Sequence, residues 1–200
     1  MELSVVVSLL LFCGTSFADL STEYDSKATL DDDSKYNVYW THNATSDMMY
    51  IAVEVKATGW VALAFTKEKS SNMKGYDTCL GSVAGGTSVL NDYLTDGHRV
   101  PSLDSQNDCQ LDEAMESGGT TTIKYHRKVD TGDSKDVVIE KGEIILVWAY
   151  KNTDDSLSRH NEKGFASVTM ISASEAVKLR SFYWKLGVAS LSIAVAFLFK

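Results

Sequence analysis

The sequence predicts an all-β fold, a single antiparallel β-sandwich. Three observations carry that expectation. Short runs of aromatic, aliphatic and β-branched residues alternate with polar ones at a period of two. Turn-forming groups such as Gly85-Gly86 and Asp130-Thr131-Gly132-Asp133 separate those runs. No stretch before residue 172 sustains a helical period. A chain of 200 residues bounds one domain. Roughly eight to ten short strands in one domain are the pattern of a sandwich.

The elements follow in order. Tyr36, Val38 and Trp40 alternate with Asn37, Tyr39 and Thr41, and residues 42–47 read as a turn. Met49, Ile51, Val53 and Val55 alternate with Tyr50, Ala52, Glu54 and Lys56, the pattern of a half-buried strand. Gly59 breaks that run, and residues 60–65 follow as a near-continuous apolar strand. Residues 66–72 are polar and charged, so they read as a solvent loop ending at Met73. Strands are expected at 77–83 and 89–94. Residues 92–111 then read as an ordered long loop or short edge strands, with turns at Gly97 and Pro101. Residues 121–127 alternate again, and 137–139 are apolar. Residues 143–150, EIILVWAY, give the strongest signal for a central strand. A polar loop over 151–164 carries His160, and 165–171 form the last strand.

The ends differ from this body. Residues 3–12 are an apolar run too short to span a bilayer, and Ser16-Phe17-Ala18 has the small-x-small pattern of a cleavage site. A signal peptide over 1–18 is therefore expected. Residues 19–34 are an acidic N-terminal segment, and 35–172 the folded domain. Over 173–200 a mixed spacer precedes about fourteen apolar or small residues, as in a glycosylphosphatidylinositol attachment signal. A short single transmembrane helix is the alternative, although a spanning helix needs about twenty apolar residues.

The whole chain has a net charge of −8. Cleavage at both ends would make it more negative, removing Lys178, Arg180, Lys185 and Lys200 but only Glu2 and Glu175 from the acids. Such a surface repels nucleic-acid phosphates, which excludes nucleic acid as the expected partner. It suits solubility outside the cell and can steer a basic protein partner. Removing the leader removes Cys13 and leaves Cys79 and Cys109, an even pair expected to form a disulfide after export. Closing that loop would stabilise the fold by roughly 3–4 kcal/mol. Asn43-Ala44-Thr45 is a glycosylation sequon.

Chemistry-bearing residues are few. A thioether on a polar loop is unusual, because Met normally fills gaps in cores, and Met73 is such a residue. Of four histidines, His42 lies in a turn, His98 in the long loop, His126 in a strand facing outward, and His160 in the loop after EIILVWAY. The pieces GWVALAF, NMKGYD, DYLTDGHRVPSLDSQNDCQL, YHRKVDTGDSKD and ILVWAY followed by LSRH, in that order, resemble a DOMON domain. That is the domain of dopamine β-monooxygenase-like and ferric-chelate-reductase-like proteins and of the cytochrome domain of cellobiose dehydrogenase. The resemblance implies a β-sandwich. In its haem-binding members it implies a b-type haem held between a methionine and a histidine, positions that fall on Met73 and His160. Asn72 stands where those members have a small residue. No Cys-x-x-Cys-His occurs, so such a haem would be non-covalent. Phe65, Leu80, Trp148, Tyr150 and Phe165 are the candidate porphyrin walls.

The expected function is therefore an extracellular one-electron carrier with a redox partner protein, not an enzyme. These 200 residues are expected to hold neither the histidine-rich copper domains nor the multi-helix cytochrome module that the resembled families carry. The alternative is a haem-free binding module for a sugar or another small ligand, with Trp60, Tyr76 and Tyr93 as exposed stacking surfaces. A variant of it is a calcium-stabilised domain using Asp77, Asp92, Asp96, Asp104 and Asp108.

Overall fold

Two antiparallel sheets pack face to face, in a computed structural model that describes residues 19–172. The expected signal peptide over 1–18 and the spacer and tail over 173–200 lie outside the described residues. A one-turn helix α1 (Leu20–Glu23) precedes eleven strands: β1 (Ser26–Thr29), β2 (Tyr36–Asn43), β3 (Met48–Val55), β4 (Val61–Thr66), β5 (Lys74–Ala84), β6 (Thr87–Asp96), β7 (Ser102–Leu103), β8 (Gln110–Ser117), β9 (Thr120–Lys128), β10 (Gly142–Tyr150) and β11 (Glu162–Ile171). One sheet has the order β1-β2-β3-β9-β8, the other β11-β10-β4-β5-β6-β7. No helix among the described residues is long and apolar enough to cross a membrane.

Alternation decides which side chains meet. Along β2, Tyr36, Val38 and Trp40 face the six-stranded sheet, where Val61, Leu63, Phe65, Leu146, Trp148 and Tyr150 face back, and all join one buried cluster. Two anchors tie the sheets together: the Tyr36 hydroxyl donates to the Ala62 carbonyl at 2.8 Å, and the Trp40 indole to the Met170 carbonyl at 3.1 Å. The expected disulfide is present. Cys79 of β5 joins Cys109, just ahead of β8, so the bond links the two sheets.

Several elements differ from the sequence reading. Residues 19–34, expected as a solvated segment, form α1 and β1, because Leu20 packs on Tyr39 and Ala52 and β1 hydrogen-bonds to β2. The stretch 110–117 is a strand with almost no apolar face; β8 lies at a sheet edge, where pairing with β9 and not burial holds it. The apolar stretch 137–139 is no strand, yet Ile139 is fully buried and its N–H donates to Val129. Asn43 closes β2 as an exposed residue, its side chain accepting from the N–H groups of Thr45 and Ser46.

A buried charge cluster sits between the sheets. Arg127 of β9 donates to Asp77 of β5 at 2.7 Å and stacks over the Phe65 ring at 4.9 Å. Asp77, Asp92 and Asp136 each place a carboxylate oxygen within 4.8 Å of the others, with this one guanidinium among them. The second oxygen of Asp77 has no hydrogen-bond partner among the described residues. Burial, reinforced by the charge of Asp77, pushes the Asp92 carboxyl up to about 7 and that of Asp136 to about 6. Burial also raises Asp77, against the pull of Arg127. This corrects the expected five-aspartate cation set. Only Asp77 and Asp92 of that set meet, Asp136 was missed, and Arg127 already brings positive charge there. Asp96 pairs with Arg99 at the surface, Asp104 accepts from Lys135 at 2.8 Å, and Asp108 offers Asp92 only its backbone N–H.

The raised carboxyls fix a sign. An acid whose folded pKa lies above its unfolded value binds more protons when folded, so its contribution to stability is lost as pH rises through the folded value. Asp92→Asn keeps a side-chain oxygen for the Asp108 N–H and removes the charge. It is expected to stabilise the domain by about 2 kcal/mol above pH 7, with the gain shrinking as pH falls toward 4. Denaturant unfolding at pH 8 and at pH 4.5 checks this; a variant no more stable than the parent at pH 8 contradicts it.

Candidate functional site

The six-stranded sheet has a second apolar face. Inward residues of β4 alternate with Ala62 and Ala64, those of β5 with Thr78 and Leu80, and those of β10 with Val147 and Ala149. Trp60, Ala62 and Leu80 form a cluster separate from the main core, with Tyr93, Ala149 and Leu157 packed on it. Antiparallel sheets usually turn a polar face outward. Here the outer face floors a cavity of about 480 Å³, within the range of small-molecule sites. The floor is small side chains from neighbouring strands, a flat surface. Loops 66–73, 97–101 and 151–161 stand around it.

Met73 and His160 both line this cavity. They are 87 positions apart in sequence and reach one site because β4, the common neighbour, pairs with β5 on one side and β10 on the other. Met73 is the residue before β5 and has φ +51, a left-handed conformation rare outside glycine. Its carbonyl accepts from the Gly97 N–H at 2.9 Å, and the His98 ring nitrogen Nε2 meets the Ser71 carbonyl at 2.9 Å. The Tyr76 hydroxyl donates to the Ser70 carbonyl at 2.6 Å and accepts from the Ser70 N–H. The polar loop is thus pinned on both sides of the methionine.

The loop carrying His160 is held from below. Thr58 and Trp60 donate to the carbonyls of Asn152 and Asp154, and Lys151 and Asn161 close the loop onto Trp60 and Tyr150. Gly59 lets the chains approach: a Cβ there would lie 2.6 Å from the Asp154 backbone. The His160 ring is half-buried, and burial is the main cause holding its pKa below the ordinary 6.5, with Lys163 and Arg159 adding to it. The imidazole is therefore neutral at physiological pH, the form that binds metals. A thioether and a neutral imidazole are the donor set of an electron-transfer haem, and their placement around an apolar floor fits that group.

Other expected residues are placed differently. Leu80 lines the cavity, but Phe65, Trp148 and Tyr150 alternate with the floor residues and join the inter-sheet core, Trp148 also reaching the cavity lining. Phe165 stands edge-on to Tyr76 with ring centres 6.0 Å apart. Trp60 and Tyr76, expected as exposed stacking surfaces, are buried at 5% and 2% exposure and belong to the cavity lining. His126 pairs with Asp112 at 2.7 Å on the other sheet, and His42 lies near Asp47. His98, Arg99, Arg159 and the alanines of the floor were missed. The signal for the floor was present in GWVALAF, where Trp60, Ala62 and Ala64 share one side of the strand.

Fold and cavity together define a two-sheet domain with a cofactor-sized site on the outside of one sheet. The chain belongs to the DOMON domain family, whose pattern matches residues 32–151. It is similar to DBH-like monooxygenase protein 1 of Mus musculus, 29% identical over 144 residues, which covers 72% of this chain and 23% of that protein. The same protein of Gallus gallus is 30% identical over 147 residues, again 23% of its length. This chain thus spans about a quarter of those relatives. In fold it is similar to the cytochrome b domain of pyranose dehydrogenase from Coprinopsis cinerea, with TM-score 0.58, 14% identity and coverage of 78% of this chain and 88% of that one. The cytochrome domain of cellobiose dehydrogenase from Myriococcum thermophilum gives TM-score 0.57 at 13% identity, covering 75% of this chain and 86% of that one.

The close approach at Gly59 is testable. Gly59→Ala forces a methyl group against backbone and is expected to cost about 1–3 kcal/mol of stability. It should also displace the 151–161 loop and lower affinity for any ligand that His160 contacts. Unfolding and ligand titration of the variant check this; parental values in both contradict it.

Proposed function

We propose that this domain binds b-type haem non-covalently, between Met73 and His160, and carries single electrons outside the cell. The observation that carries the reading is that a thioether and a neutral imidazole line one apolar cavity. The likeness of the fold to two cytochrome domains supports it. Bound haem would supply one-electron chemistry by cycling between ferric and ferrous iron. Met73 would stabilise the ferrous form through its soft sulfur and raise the potential, while His160 would serve both forms. Ala62, Ala64, Leu80 and Val147 would exclude water from the porphyrin face. If Met73 and His160 both held the iron, no ligand position would be left for a substrate, which would suit a carrier more than a catalyst. The partner is accordingly a second redox protein. The buried disulfide supports an oxidising, exported setting.

Two variants test the ligands. Protein produced with haem supplied is expected to show the split visible bands of a reduced six-coordinate haem. Met73→Ala and His160→Ala should each abolish them, and Met73→Ala should also lower the potential of whatever haem is retained. An unchanged spectrum in either variant rejects that ligand. A pH titration adds a second check. Protonation of His160 competes with iron, and its depressed pKa moves that competition downward, so the bands should persist below pH 6.5 and fade only at lower pH. Fading that begins above 6.5 contradicts the burial argument.

A further inference from the structure

The cavity is charged in a way that the rest of the chain is not. The sequence has 27 acidic residues against 19 Lys and Arg, yet no Asp or Glu lines the cavity. Arg99, Arg159 and Lys163 do. Two loops and one strand supply these cations: Arg99 sits between β6 and β7, Arg159 between β10 and β11, and Lys163 in β11. The backbone around each arginine is fixed. The Arg99 N–H donates to the Gly97 carbonyl at 2.8 Å, and the Arg159 carbonyl accepts from Lys151 at 3.1 Å. Their charged ends remain available. The Arg99 guanidinium is 3.6 Å from Asp96, with both side chains more than half exposed, and no ion pair is formed by Arg159 or Lys163 among the described residues. An exposed pair of that kind contributes little and exchanges readily.

We infer that the rim is an anion-anchoring subsite, with Arg99 and Arg159 as its main donors and Lys163 in support. It selects an apolar ligand that bears carboxylates. The inference rests on the haem reading, and for haem those groups are the two propionates. A guanidinium offers a carboxylate paired N–H donors, which is why arginine suits this task. A cationic ligand would meet like charge at the rim, and a neutral one would leave the rim unused.

Metal-free porphyrin separates this subsite from iron ligation. The protein is titrated with protoporphyrin IX, a dicarboxylic acid, and with its dimethyl ester, following fluorescence. The diacid is expected to bind about tenfold more tightly, the size of one to two charge-assisted hydrogen bonds. The double variant Arg99→Gln, Arg159→Gln should lose that preference while its affinity for the ester is unchanged, and added salt should reduce the parental preference. Equal affinity for diacid and ester in the parent overturns the inference, as does a double variant that keeps the preference. Retained ester binding shows that the variant is folded. The two readings fail in different ways. Diacid preference without axial-ligand bands on iron loading removes the Met73 and His160 assignment alone. Axial-ligand bands without diacid preference remove the anion subsite alone, and failure of both porphyrins to bind overturns both.

Discussion

A six-stranded sheet with two apolar faces is the constraint on which the structure depends. Period-two alternation along β4 and β10 sends large residues inward and small ones outward, and β5 adds Thr78 and Leu80 to the outer face. The inward set, Leu63, Phe65, Leu146, Trp148 and Tyr150, makes the core with the five-stranded sheet. The outward set, Ala62, Ala64, Thr78, Val147 and Ala149, makes a floor with no bulk of its own. An apolar floor of this kind is stable in water only when something covers it. Loops after three strands wall it, and they place Met73, Arg99 and His160 in its lining. A register shift of one residue in β4 would exchange the two faces and destroy core and cavity together.

Much of this was legible in the sequence. Turn spacing and alternation gave the sandwich, cysteine arithmetic gave the disulfide, and the order of six short pieces pointed to Met73 and His160. The faces of GWVALAF were harder to read. A run apolar on both sides looks like an ordinary buried strand, and nothing local says that one side borders a cavity and not a second protein layer. The aromatics were misplaced for the same reason. Trp60 and Tyr76 share the outer side yet are covered by loops 151–161 and 66–73, and no pattern along the chain announces that covering. The strands β1 and β8 were invisible because edge pairing, which needs no apolar face, holds them. Asp136 was missed because it lies in the loop between β9 and β10, while its partners Asp77 and Asp92 come from β5 and β6, far away in sequence.

Charge is arranged on three levels. The outside is acidic, the cavity rim is basic, and the interior holds more carboxylates than cations. The interior cluster lies directly under β5, whose outer side bears Tyr76, Thr78 and Leu80. Asp77 points to the core from between Tyr76 and Thr78, so the buried ion pair with Arg127 helps to set the position of the strand that follows Met73. Burial of unequal charge is costly, and Asp92 answers it by holding its proton to near neutrality. Stability and site geometry are therefore coupled through one strand. The segment that this chain matches is 23% of the length of the DBH-like monooxygenase relatives, so the domain is one part of those longer proteins.

X-ray absorption at the iron edge of the haem-loaded protein tests the central claim most directly, because it counts the atoms bound to iron without reference to any spectrum of a relative. The account predicts one sulfur and five nitrogen neighbours: four from the porphyrin, one from His160, and the thioether of Met73. A shell of nitrogen and oxygen alone, in protein that retains haem, would contradict it.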